Sequence, residues 1–214
     1  MAKFKGVGFD LDGTLIESME LTLESSNYAL QAVGYTIDNF VDELRSRFGP
    51  PEDVFFYNIL QDTEKAKRAT EIYVDHFWKN RSQVYIYPQV DALFELVKKK
   101  KMKIGIITGR MRSLTEDLLE YLGFKQNYDI LISGSDLTNH KPHPEGLEVF
   151  LKHCNLTADE ILFIGDTHYD IGMANRAHVK VGHARWAKVN WELNDSLKVD
   201  YTFNSIEEVF DILK

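Results

Sequence analysis

Short apolar runs that stop at a glycine or a polar turn recur along this 214-residue chain and divide it into two kinds of territory. Residues 7–9, 104–107 and 161–164 are apolar throughout and too short for helices, the pattern of strands buried on both faces of a sheet. From about residue 17 to residue 83 no such strand is found. There Leu23, Tyr28, Leu30 and Val33, and later Ile72, Tyr73, Phe77 and Trp78, recur at near-helical spacing, which predicts helices over 18–33, 41–48, 52–60 and 63–79. Gly34 marks a stop and Gly49-Pro50-Pro51 a firm break. From Tyr85 onward strands alternate with helices predicted over 88–100, 112–122, 144–153, 169–177 and 205–213.

That alternation implies a parallel sheet with helices on both faces. The predicted fold class is therefore α/β, a doubly wound, Rossmann-like core with an inserted all-helical cap. Residues 1–16 and 85–214 form the core and residues 17–84 the cap. The chain crosses between them around Ile16-Glu17 and at Tyr85-Ile86-Tyr87-Pro88, with no long linker. A cap joined in this way can move as a body over the strand ends and exclude water when closed.

Composition narrows the class. With 44% apolar and 12% aromatic residues the chain can bury one good core plus a modest accessory module. No run approaches the roughly 20 consecutive apolar residues of a membrane helix, and Met1-Ala2-Lys3-Phe4-Lys5 leads straight into a strand, so a cytoplasmic location without membrane association is expected. A formal net charge of −8 argues against general nucleic-acid affinity, and nothing marks an obligate protein partner. Distant surface acids fade over a Debye length of about 8–10 Å, so the local site decides the ligand. The single cysteine, Cys154, reads as a buried structural thiol, and Trp186 and Trp191 as packing over the sheet edge.

The chemistry gathers where the apolar runs end. Phe9-Asp10-Leu11-Asp12-Gly13-Thr14-Leu15 sets two carboxylates one residue apart at a glycine turn, and in near-extended backbone both face one pocket. Gly165-Asp166-Thr167-His168-Tyr169-Asp170 supplies two more after another strand, and Ile107-Thr108-Gly109-Arg110 closes a third. At about 4 Å and an effective dielectric of about 20, each carboxylate pair costs on the order of 4 kcal/mol, so the cluster demands cations. Lys141, between Asn139-His140 and Pro142, supplies one, and a hard divalent ion with oxygen ligands, most naturally Mg²⁺, another. The Thr108 hydroxyl and the N–H groups of the turn through Gly109 and Arg110 suit a phosphoryl oxygen.

Asp10-x-Asp12-Gly13-Thr14, Thr108, Lys141 and Gly165-Asp166-x-x-x-Asp170, taken together and in this order, resemble the haloacid dehalogenase superfamily of phosphohydrolases over nearly the whole chain. Within it the chain looks like the phosphoglycolate phosphatase and bacterial pyrophosphatase branch with a small helical cap. Phe48-Gly49-Pro50-Pro51 and His168 are similar to features of the pyrophosphatase members. The resemblance implies that Asp10 is the nucleophile and Asp12 the acid and base. It also implies metal ligands at Asp10, the Asp12 backbone carbonyl and Asp166, with Asp170 completing the outer shell or orienting Lys141, and Thr108 and Lys141 holding the phosphoryl oxygens.

Sister families depart from this pattern. Hydrolytic dehalogenases and phosphonate-cleaving relatives lack the acid at Asp12, cation pumps carry lysine at Leu11, and sugar phosphomutases such as β-phosphoglucomutase carry a cap histidine at the position of Thr22. The expected substrate is a small phosphorylated metabolite, phosphoglycolate first and pyrophosphate next, with Arg45, Arg47 or Arg110 meeting its second anionic group. A phosphomutase and a non-catalytic binding protein on the same fold stand as alternatives. His168 reads equally as a metal neighbour or as a surface residue at a helix start.

Overall fold

The structure, a computed structural model, describes residues 4–124, 128–189, 191, 193 and 195–213, and of Arg45 the backbone. Six parallel strands form one sheet: β1 (Gly6–Phe9), β4 (Lys103–Ile107), β5 (Ile130–Ile132), β6 (Ile161–Gly165), β7 (Lys180–Ala184) and β8 (Tyr201–Phe203). Their spatial order is β5-β4-β1-β6-β7-β8, with Gly8 beside Gly105 on one side and Phe163 on the other. After β1 the chain builds outward through β4 and β5, then returns to the opposite side of β1. This reversal opens a crevice at the carboxyl end of β1, where open α/β sheets bind ligands.

Alternation along the strands sends side chains to two separate cores. Val7, Phe9, Ile104, Ile106, Leu162 and Ile164 pack on one face with α5 (Val90–Lys99), α6 (Arg112–Tyr121) and α9 (Ile206–Leu213). Ile107, Ile161, Phe163 and Val181 pack on the other with α7 (Glu145–Cys154) and α8 (His168–Arg176). Cys154 sits in the last turn of α7 and is only half-buried, because the helix end leaves part of that turn open to solvent.

The stretch after β1 is helical: α1 (Met19–Ala32), α2 (Phe40–Arg45), α3 (Glu52–Leu60) and α4 (Thr63–Asn80). The second helix ends three residues before the predicted Phe48, and the chain turns through Ser46 and Arg47 toward the Gly49-Pro50-Pro51 break. Helices α1 and α3 pack on α4, whose buried stripe of Ala66, Ala69, Tyr73 and Phe77 meets Phe56.

The two crossings are not loose. Ile16–Glu17 (β2) and Tyr85–Ile86 (β3) pair as an antiparallel ribbon separate from the main sheet, which the apolar pattern did not reveal. Glu17 is 2% exposed; its Oε2 accepts hydrogen bonds from Tyr87 Oη at 2.9 Å and Lys188 N at 3.1 Å. Burial, and then the Glu17 carboxylate, hold the Tyr87 hydroxyl far above its ordinary range, so it remains a donor. Tyr87→Phe removes that donor from a buried carboxylate and should cost about 1–3 kcal/mol in a urea unfolding curve. A loss below about 0.3 kcal/mol would show that the hinge does not depend on this bond.

Candidate active site

Three adjacent strand ends bring the site together. Asp10 directly follows β1 and its N–H bonds Ile164 O at 2.8 Å; Thr108 directly follows β4 and its N–H bonds Ile132 O at 2.9 Å; Asp166 directly follows β6. The chain turns sharply after Asp12 because Gly13 adopts φ +80°, where a β-carbon would also lie 2.4 Å from Asp166 Oδ2. Asp170 occupies the first turn of α8 in a reciprocal cap: Thr167 N and Oγ1 donate to Asp170 Oδ2 at 3.0 and 2.6 Å, while Asp170 N donates to Thr167 Oγ1.

Lys141 Nζ reaches Asp10 Oδ1 at 2.5 Å and Asp170 Oδ1 at 2.7 Å, and all three groups are buried. Burial opposes its charge, but the two carboxylates hold the ammonium above its ordinary value. One oxygen each of Asp10, Asp166 and Asp170 lie within 4.8 Å of one another. Burial, followed by the neighbouring Asp10 and Asp170 charges, drives Asp166 well above the carboxylate range, and burial pushes Asp10 up to about 8 against the pull of Lys141. Asp166 Oδ2 is buried with no hydrogen-bond partner among the described residues. Oxygen donors, surplus negative charge and an unpartnered buried oxygen fit a hard divalent cation.

The Asp12 side chain turns to different partners. Arg110 Nη2 donates to its Oδ1 at 2.6 Å, Thr108 Oγ1 lies 3.4 Å from its Oδ2, and Ser18 Oγ donates to Oδ1. Burial acts against its charge, yet Arg110 and then Ser18 hold Asp12 below the usual carboxylate range. Two acids separated by one residue are thus pushed in opposite directions.

Above these groups the helices and a late loop close a cavity of about 90 Å³. Asp10, Asp12, Thr108, Gly109, Lys141 and Asp170 form its floor; Met19, Thr22, Phe48, Glu52, Phe55, Tyr73, Tyr169 and Trp191 stand in its walls. The approach of the helical block is close: a β-carbon on Gly109 would fall 2.6 Å from Gly49 O. Tyr169 Oη donates to Ser46 O at 2.5 Å.

The arginines divide. Arg110 lines the cavity and is 5% exposed. Arg47 is exposed, donates to Glu43 one turn back and is not a lining residue, and the side chain of Arg45 lies outside the described residues. His168 starts α8 half-buried, its ring 4.0 Å from Tyr169 and 6.1 Å from Trp191, outside the carboxylate cluster. Trp186 donates to Thr14 O at 3.1 Å, whereas Trp191 turns to the cavity and meets Phe48 edge-on instead of covering the sheet edge. Glu52, Tyr73 and Tyr169 carried no signal in the sequence, since each occupies an ordinary helical position.

A family profile described as haloacid dehalogenase-like hydrolase matches residues 7–184. The chain is 26% identical to pyrophosphatase PpaX of Oceanobacillus iheyensis over 96% of its length and 94% of that protein. It is 28% identical to pyrophosphatase PpaX of Bacillus mycoides over 99% and 97%. A predicted phosphoglycolate phosphatase from Haemophilus somnus 129PT has the same fold, with a TM-score of 0.85 at 23% identity over the whole of both chains. CbbY from Rhodobacter sphaeroides, crystallised with phosphate, matches with a TM-score of 0.81 at 17% identity over 98% of this chain and 99% of that one. With the profile spanning the floor of the cavity from Asp10 to Asp170, the chain belongs to the haloacid dehalogenase-like hydrolases.

Proposed function

We propose that this protein hydrolyses a small phosphate monoester, phosphoglycolate-like in size, with Mg²⁺ and through an aspartyl-phosphate on Asp10. The observation that carries the reading is the pairing of two acids with opposed environments: Asp10 in the Lys141 cluster and Asp12 against Arg110. Asp10 attacks phosphorus, and Lys141 and Thr108 hold the phosphoryl oxygens as charge spreads over them. Asp12 hands a proton to the leaving oxygen, then draws one from the water that cleaves the intermediate. Arg110 keeps Asp12 ionised at rest, so the proton it delivers is taken up with the substrate. Asp10, the Asp12 backbone carbonyl and Asp166 would hold the ion, supported by Asp170. When bound, it offsets the repulsion between carboxylate and phosphate and acts as a Lewis acid.

Residues 17–84 act as the cap over a core of 1–16 and 85–214, and the small cavity beneath them supports a metabolite-sized substrate rather than a phosphoprotein. No helix of the described residues is long and apolar enough to cross a membrane, and a cytoplasmic location is part of this reading. A second reading, hydrolysis of inorganic pyrophosphate, is supported by the PpaX relatives. The phosphomutase reading is not supported: Thr22 stands where those enzymes carry histidine, and its hydroxyl accepts from Arg110 at 3.1 Å.

Asp10→Asn should lower kcat on 2-phosphoglycolate and on pyrophosphate by about 10³-fold or more with circular dichroism unchanged. Near-normal turnover in that variant would defeat the mechanism.

Lys141→Ala strands two buried carboxylates, so it should lower kcat steeply and stability by about 3–5 kcal/mol. A change confined to KM would remove Lys141 from the transition state.

Cation binding should also depend on pH without reference to turnover. In the ion-free protein the folded value of Asp10, about 8, lies above its ordinary 3.8, and Asp166 moves in the same direction. The native state therefore holds the extra protons, and the stability this contributes is complete below about pH 4 and lost as pH rises through about 8. An ion must displace those protons. The Mg²⁺-induced rise in Tm should thus grow from about pH 5.5 to about pH 8 and vanish in Asp166→Asn. A rise independent of pH would contradict the assignment of these carboxylates to the ion.

A further inference from the structure

Arg110 has no donor left to offer. A guanidinium carries five N–H groups. Nε points to Asp12 Oδ2 at 3.3 Å, Nη2 to Asp12 Oδ1 at 2.6 Å and Thr22 Oγ1 at 3.1 Å, and Nη1 to Tyr73 Oη at 3.3 Å and Glu52 Oε1 at 3.4 Å. One face of the fork lies 4.6 Å above the Phe77 ring, and the side chain is 3% exposed. Glu52 is itself anchored by Met111 N at 2.7 Å. The acceptors come from the end of β1 and from α1, α3 and α4, so a single core side chain fastens Asp12 to three helices of the insertion.

We propose that Arg110 is a positioning residue: it acts through Asp12, holding that carboxylate at the leaving oxygen only while the helices are docked, and does not bind the substrate's leaving group. This rests on the reading of Asp10 as nucleophile and Asp12 as acid and base. The two-point grip on Asp12 needs the planar fork, which a lysine cannot reproduce. Losing it should harm every substrate whose leaving oxygen needs a proton, whatever charge the leaving group carries.

The test compares kcat and KM with Mg²⁺ on three substrates: p-nitrophenyl phosphate, whose leaving group departs unprotonated; glycerol 3-phosphate, whose leaving alcohol carries no further charge; and 2-phosphoglycolate, whose leaving alcohol carries a carboxylate. Arg110→Lys should lower kcat/KM by about 10²-fold on both alkyl esters, through kcat, and by less than about fivefold on the aryl ester. Thr22→Val and Tyr73→Phe each remove one acceptor without changing charge, and should lose about fivefold with the same selectivity, which covers the case of an unfolded Arg110 variant. On an Asp12→Asn background Arg110→Lys should cost nothing further. A KM rise confined to 2-phosphoglycolate would make Arg110 a substrate cation. Equal losses on all three esters, or full additivity with Asp12→Asn, would make its role merely structural, and either result overturns the proposal. Failure of the underlying reading shows separately, as activity that survives Asp10→Asn in otherwise wild-type protein.

Discussion

Carboxylates cannot be buried together without positive charge between them, and here Lys141 and Arg110 divide that task. Lys141 serves Asp10 and Asp170; Arg110 serves Asp12 and Glu52. Among the described residues the division leaves Asp166 with no ion pair of its own, which is where the cluster calls for an ion from solution. It also builds two electrostatic compartments within one cavity. In the first, burial outweighs a shared ammonium and favours the protonated acid; in the second, a two-point arginine outweighs burial and favours the anion. Neighbouring aspartates acquire different chemistry without any difference in residue type.

The fold makes this arrangement reproducible. Asp10 directly follows a strand, Asp12 lies in the glycine turn beyond it, Asp170 stands in the first turn of α8 and Lys141 just before Pro142, so local backbone structure fixes where each charged group of the floor begins. The walls are assembled differently. Phe48 and Phe55 arrive from the insertion, Tyr169 from α8 and Trp191 from a loop beyond β7, and they meet as rings instead of as paired charges. Rings packed against one another exclude water while tolerating small shifts, whereas the ion pairs beneath them require fixed distances.

That difference explains what the sequence disclosed. Asp10, Asp12, Thr108, Asp166 and Asp170 were legible because a short apolar run followed by a turn announces a strand end, and strand ends of one parallel sheet must converge; Lys141 was legible only as the cation that such a cluster of acids demands. Tyr73 was not, since it belongs to the buried stripe of α4 and hydrophobic periodicity gives no hint that its hydroxyl faces an arginine. Glu52 resembles any acid in the first turn of a helix after proline. Trp191 sits in irregular backbone where no periodicity applies, and Arg47 differs from Arg110 only in the partners the fold brings to it. The helix ends fell within three residues of those expected, and α3 coincided with its expected range, whereas α2 stopped three residues early, at Arg45.

The ribbon of β2 and β3 carries a mechanical consequence. Two residues on each strand, hydrogen-bonded in antiparallel register and locked to the core through Glu17, Tyr87 and Lys188, carry both chain crossings between the helices and the sheet. Such a strap twists readily about its length but resists sliding, because a slip of one residue would reverse which side chains face inward and pull Glu17 out of its pocket. The register of the ribbon consequently fixes where the helices leave and rejoin the sheet, and with it the alignment that brings Thr22, Glu52 and Tyr73 together on one guanidinium.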